Sequence, residues 1–200
     1  MPRYRVARPA PAFWNLTKTV PIIAGGSFVL SWFVPKIMVA WQHDAALDTF
    51  FFPERGDLGL AVLILGTLLV AWSAVVLAIK GGGTPLPFDA PRRLVVSGPY
   101  AWFRNPLVIG LVVQGIGVGI YSGSVLVLLF VAAIALIWNF GIRPAEEDAL
   151  QKVFGRDFEL YRREVRCWLP MRRAWTPPPH TGPISLEELP AEMVPKRRRR

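Results

Sequence analysis

Two long stretches of this chain carry no charge, and they restrict it to a small set of folds. Leu58 to Ile79 is 22 residues without an Asp, Glu, Lys or Arg, and Asn105 to Ile142 is 38. A helix needs about 20 apolar residues to cross the hydrocarbon core of a bilayer. The first stretch is therefore one span. The second is two, broken at Gly119-Ile-Tyr-Ser-Gly-Ser124, its turn-rich point. A weaker run, Val20 to Trp41, is a fourth candidate; it contains Pro21, Pro35 and Lys36, and Lys36 can snorkel to the interface. The expected fold is all-α and polytopic, with spans at about 20–41, 58–79, 106–121 and 123–142.

Composition supports a membrane protein. Of 200 residues 52% are apolar and 18% are charged, which excludes a disordered chain and argues against a plain soluble domain. Lys and Arg number 23 against 14 Asp and Glu, a net charge of +9. Segment 1–18 holds four of the basic residues, 80–105 holds four and the chain from Arg143 onward holds 13, so 21 of 23 fall on one side of a four-span arrangement. The opposite loop, 42–57, has one Arg and the acids Asp44, Asp48, Glu54 and Asp57. Basic residues mark the cytoplasmic side, so both termini are expected there. This distribution fits membrane topology better than nucleic-acid binding, the other common use of a basic chain. The start shows no cleavable signal-peptide pattern. Residues 176–200 read as a disordered tail whose Lys196-Arg-Arg-Arg-Arg200 either touches anionic lipid or is simply solvated, with no role. With one cysteine, Cys167, and two histidines, His43 and His180, no internal disulfide forms, no metal site is expected and a Cys-His nucleophile is disfavoured.

Polar residues within the spans read first as packing features. Gly115 and Gly119 have the small-xxx-small spacing that lets helices approach closely, and Gln114 and Asn139 can bond across helices. Two cytoplasmic segments are less ordinary. Residues 81–106 combine many Gly and Pro with Phe88, Leu94, Val95, Val96, Tyr100, Trp102 and Phe103. A solvated linker would not hold so many large apolar groups, so this segment should lie at the membrane interface or fold over something. At its end, Asn105 can cap the next helix and Pro106 suits a first helical position, which sets Arg104 beside a helix N-terminus. The second segment, 143–170, reads as an amphipathic helix over about 144–166. Glu146, Glu147 and Asp148 fall in its first turn, and Leu150, Val153, Phe154, Phe158, Tyr161 and Val165 make an apolar face of period 3.6. Its polar face carries Lys152, Arg156, Arg162, Arg163 and Arg166. A carboxylate near the membrane plane needs a partner; Arg143, Arg104 or a ligand would serve for Glu146 or Glu147.

These two segments resemble the signatures of the isoprenylcysteine carboxyl methyltransferase and phospholipid methyltransferase superfamily. The first is Gly98-Pro-Tyr100-Ala-Trp-Phe-Arg104-Asn105-Pro106-Leu-Val-Ile-Gly110, preceded by Gly83-Thr-Pro85-Leu-Pro87. The second is Glu146-Glu147, Leu150, Phe154-Gly155, Tyr161, Val165 and Pro170. Bacterial members often have Met-Tyr where this chain has Leu107-Val108, and many have Tyr and Arg where Phe158 and Cys167 stand.

The resemblance implies S-adenosylmethionine as cofactor, bound at the cytoplasmic ends of the last spans by Gly98, Tyr100, Arg104, Asn105, Pro106, Glu146, Glu147 and Tyr161. Arg104 suits the cofactor's carboxylate and a Glu its cationic end, while Tyr100, Trp102 and Tyr161 are candidates for the adenine wall. Glu147 is the expected cofactor-facing carboxylate, with Glu146 nearer Arg143. The acceptor would be lipid-like or prenylated. A carboxylate acceptor needs no base, which fits a chain so poor in His, and Arg163 or Arg166 would hold it; Glu147, Arg163 and Arg166 are the expected catalytic residues. Three alternatives stand beside this: N-methylation of a phospholipid amine, an NADPH-dependent membrane reductase of the same superfamily, and a scaffold without chemistry.

Overall fold

A computed structural model describes residues 12–45, 49–82 and 91–178. Arg3, Arg5, Arg8, Asp48, the Gly83-Thr-Pro85-Leu-Pro87 string, His180 and the basic end of the tail lie outside them. The described residues contain helices and irregular segments and no strand. In chain order they form α1 (Ala12–Phe28), a π-helical turn (Val29–Phe33), α2 (Val34–Asp44), α3 (Arg55–Val76), a second π turn (Leu77–Gly81), a 3-10 turn (Gly98–Ala101), α4 (Pro106–Ser122), α5 (Val125–Ile137), a third π turn (Trp138–Ile142) and α6 (Arg143–Glu164).

Three continuous helices, Trp14–Asp44, Arg55–Gly81 and Val125–Glu164, are long and apolar enough to cross a membrane. They contain three of the four expected spans. The fourth, α4, is apolar but only 17 residues long, at the short end of what crosses a bilayer. Pro35 does not end the first helix. It has no N–H and its ring crowds the carbonyl four residues back. The π turn just before it absorbs the mismatch, with the Val34 N–H reaching back to the Val29 carbonyl.

The contacts divide the chain into two units. One comprises Ile22–Ala71 and Pro106–Arg143. Within it, glycines let two helices meet backbone to backbone. A Cβ on Gly66 would sit 2.5 Å from the Gln114 nitrogen, and one on Gly117 would sit 2.4 Å from the Leu63 nitrogen. Gly115 and Gly119 face Val131 and Leu128 of α5, the close approach their spacing suggested. Gln114 is buried; it donates to Thr67 Oγ1 at 2.9 Å and accepts from Ser31 Oγ at 3.3 Å. The expected break in the long apolar stretch falls at Gly123, where φ is 67°, followed by Ser124, whose hydroxyl caps the Val127 N–H.

The other unit comprises the described residues of 1–21, 72–105 and 144–200. Its larger core is Val153, Phe154, Phe158, Tyr161 and Val165, with Leu94, Val96, Leu150, Met171 and Trp175 packed against them. A smaller one joins Leu77, Val95 and Tyr100. Leu94, Val95, Val96 and Tyr100 of the 81–106 segment thus belong to these cores, whereas Trp102 is exposed. The amphipathic helix expected over 144–166 is corrected in one respect: it is not straight. Gly155 adopts φ 52°, ψ −124°, a backbone region open essentially to glycine alone, and α6 is two helices joined there.

Candidate active site

The first signature folds as a braced loop. Gly98 has φ 61°, and a Cβ there would press on Val76 at 3.1 Å, so glycine is needed for both backbone and space. Tyr100 is buried in the 3-10 turn that follows. The chain after α6 then runs back along this loop. The Arg104 N–H donates to the Arg166 carbonyl at 3.0 Å, the Met171 N–H to Trp102 at 3.1 Å and the Trp175 N–H to Ala101 at 2.9 Å. From inside, the Tyr161 hydroxyl donates to the Tyr100 carbonyl at 2.7 Å and to the Phe103 carbonyl at 3.2 Å. Carbonyls that a sharp turn would leave without partners are satisfied in this way.

The bracing fixes Arg104 against the acidic start of α6. Arg104 NH1 lies 3.4 Å from Glu147 Oε1, and both side chains are 13% exposed. Glu147 Oε2 lies 3.9 Å from Arg162 NH1, whose side chain is 46% exposed. Arg104 Nε is buried and has no hydrogen-bond partner. A buried guanidinium donor left over after its ion pair is costly, and it is the feature an incoming carboxylate would satisfy.

Glu146 is half-buried and titrates differently from an ordinary carboxyl. It lies beyond the apolar stretch that ends at Ile142. Burial, then the neighbouring charge of Glu147, pushes its pKa up to about 7. Tyr100 is pushed above the usual phenol range by burial and next by Glu146. Tyr161 is pushed up by burial first and then by Tyr100, with Arg104 acting in the opposite sense. Two adjacent carboxyls therefore have different neighbours: Glu147 has Arg104 and Arg162, and Glu146 acts on Tyr100.

The structure brings Tyr100, Arg104, Glu146, Glu147 and Tyr161 into one unit around the braced loop. Asn105 closes the loop, half-buried, and Pro106 opens α4. Of the three aromatic candidates, Trp102 keeps an exposed ring, while Tyr100 and Tyr161 are buried, the latter against Phe158 and Trp175. Arg163 is turned outward and paired with Glu159 one helical turn back. The Arg166 side chain is exposed, and its contribution to the loop is its carbonyl. Arg143 donates to the Asn139 carbonyl at 3.3 Å. Arg162 is the residue that sequence reasoning passed over. It reads as one of several polar-face arginines, and the signal that could have singled it out is Gly155, an isolated glycine inside a helical pattern.

Comparison with known proteins reaches the whole of the first signature and the start of the second, Glu146 to Gly155. The family model described as phospholipid methyltransferase matches residues 55–157. Two proteins described as probable protein-S-isoprenylcysteine O-methyltransferase, from Oryza sativa subsp. indica and Oryza sativa subsp. japonica, are each 25% identical over 137 residues, covering 62% of this chain and 68% of their own. No solved structure matches the chain.

Proposed function

This chain belongs to the phospholipid methyltransferase family, and we propose that it is an S-adenosylmethionine-dependent methyltransferase acting at the cytoplasmic membrane face on a lipid-like acceptor, with an isoprenylcysteine-type carboxylate favoured. The observation that carries this reading is Arg104, held at Glu147 with its Nε buried and unpartnered. That donor fits a cofactor's terminal carboxylate, and Glu147 or Glu146 fits its cationic end. The exposed ring of Trp102 fits adenine. S-adenosylmethionine would supply an electrophilic methyl group on a sulfonium. The residues of this chain would bind and align; no proton need move for a carboxylate acceptor. The isoprenylcysteine methyltransferases named among its relatives support that acceptor class.

A second reading has its own observation. An ammonium acceptor must lose a proton before it can attack, and a carboxyl pushed up to about 7 is matched to that task. Glu146 would be the base if the acceptor is a phospholipid amine. The cytoplasmic placement of both termini, with the basic tail on anionic lipid, rests on the 21 of 23 basic residues that share one side. Cysteines introduced at Asp44 and Arg173 should label from opposite sides of sealed vesicles; labelling from the same side would overturn it.

The deciding experiment is the melting temperature of the detergent-purified protein. S-adenosylhomocysteine should raise it, and the rise should grow with the logarithm of ligand concentration above the dissociation constant. A rise with NADPH instead would make the protein a reductase, and no rise with either would favour the scaffold reading.

A further inference from the structure

We propose that Arg162 is the acceptor's anchor: it holds the acceptor carboxylate during transfer and returns to Glu147 once the carboxylate has become a neutral ester. This rests on the carboxylate reading above.

The two arginines at Glu147 are not equivalent. Arg104 is 13% exposed, its side chain is enclosed, and its main-chain N–H is tied to Arg166. Arg162 is 46% exposed and stands 3.9 Å from Glu147, beyond hydrogen-bond length. Arg104 is a fixed member of the site. Arg162 is the more exposed and more loosely held of the two cations. An ion pair with one exposed partner holds weakly, so exchanging Glu147 for a second carboxylate costs little. Arg163, one residue on, is already occupied by Glu159 and faces away.

The exchange gives the site a direction. In transfer, an acceptor carboxylate oxygen forms a bond to the methyl carbon, the sulfur–methyl bond breaks and its electron pair stays on sulfur; no proton moves. The acceptor loses its charge. Glu147 is then the anion that Arg162 faces among the described residues, and recapture by Glu147 withdraws the group that held the product. Selection of the acid over its methyl ester is thus built into one side chain.

The test uses N-acetyl-S-farnesylcysteine and its methyl ester as probes, with the full-length protein in detergent saturated with S-adenosylhomocysteine. Wild type should bind the acid more tightly than the ester. Arg162→Gln should lose most of that preference, about tenfold or more for one charge-assisted pair. Its affinity for S-adenosylhomocysteine should stay within about twofold of wild type. Arg162→Lys should recover part of the preference and Arg163→Gln should keep all of it. An Arg162→Gln protein that still prefers the acid overturns the proposal, as does one whose cofactor affinity falls equally, or an Arg163→Gln protein with the same loss. A wild type that binds S-adenosylhomocysteine but shows no preference overturns the carboxylate acceptor and this proposal with it. A wild type that binds no S-adenosylhomocysteine overturns the methyltransferase reading itself.

Discussion

Arg162 and Glu147 are 15 positions apart in one helical segment, yet Arg162 NH1 lies 3.9 Å from Glu147 Oε2. A straight α-helix would separate their backbones by about 22 Å at roughly 1.5 Å per residue, well beyond the combined reach of the two side chains. The contact exists because the chain reverses at Gly155. The same reversal folds Phe158, Tyr161 and Val165 back onto Val153 and Phe154, and it places the Tyr161 hydroxyl under the loop that carries Arg104.

Gly155→Ala tests that reversal. A Cβ at Gly155 would meet nothing within 4 Å, so the substitution carries a backbone penalty and no steric one. At φ 52°, ψ −124° that penalty is about 1–3 kcal/mol. Gly141 is an internal control: it also has open space, and its φ is ordinary. The expected result is a clear fall in melting temperature for Gly155→Ala and no fall for Gly141→Ala. Equal effects would mean that the reversal does not depend on glycine.

The helices were legible in the sequence because the bilayer imposes their length. The stretch 58–79 lies within α3 and the π turn that extends it, and the 119–124 break is a real helix end at Gly123. The core value of Leu94, Val95, Val96 and Tyr100 was legible too, from the excess of large apolar groups in a Gly/Pro-rich segment. The reversal was not. Leu150, Val153, Phe154, Phe158, Tyr161 and Val165 keep a 3.6 period across Gly155, which reads as one stripe on a straight helix. They share a core by folding back instead, and periodicity cannot separate the two cases. This is also why Arg162 and Arg163 looked interchangeable from sequence, although one reaches Glu147 and the other pairs with Glu159.

Arg104→Lys separates cofactor recognition from folding. Lysine keeps a positive charge for Glu147 but lacks the guanidinium fork and its Nε. The ion pair should persist in weaker form and the ligand-free melting temperature should fall by a few degrees at most. Affinity for S-adenosylhomocysteine should drop about tenfold, the loss of one charge-assisted bond of roughly 1.5–3 kcal/mol. Unchanged affinity in a folded Arg104→Lys protein would leave Arg104 as a structural partner of Glu147.

Tyr161→Phe removes one hydroxyl that serves two carbonyls, those of Tyr100 and Phe103. The ring stays in its core beside Phe158 and Trp175, so no cavity forms. One buried and one part-buried acceptor lose a donor, at a cost of about 1–3 kcal/mol. Melting should shift down by several degrees, and cofactor affinity should fall with it because the Arg104 loop loosens. Full stability in the Phe variant would show that the outer bracing by Arg166, Met171 and Trp175 suffices alone.

Glu146 gives a pH dependence with a definite sign. Its pKa rises from the ordinary 4.5 to about 7 in the folded protein, through burial first and Glu147 second. Between those values the folded protein keeps a proton that the unfolded chain has released. Stability is therefore highest at or below about pH 4.5, as far as this group is concerned, and declines as pH rises to about 7. Two substitutions separate this effect from the loss of an ion pair. Glu146→Gln keeps a neutral group of the same size and should flatten the decline between pH 5 and 7 while leaving the protein folded. Glu147→Gln leaves Arg104 without its anion, so it should lower stability at neutral pH and abolish transfer, whereas Glu146→Gln should be milder on a carboxylate acceptor. If the Glu146→Gln melting profile still falls across that range as wild type does, the proton is not on Glu146. The second reading, in which Glu146 is the base for an amine, would then lose its support.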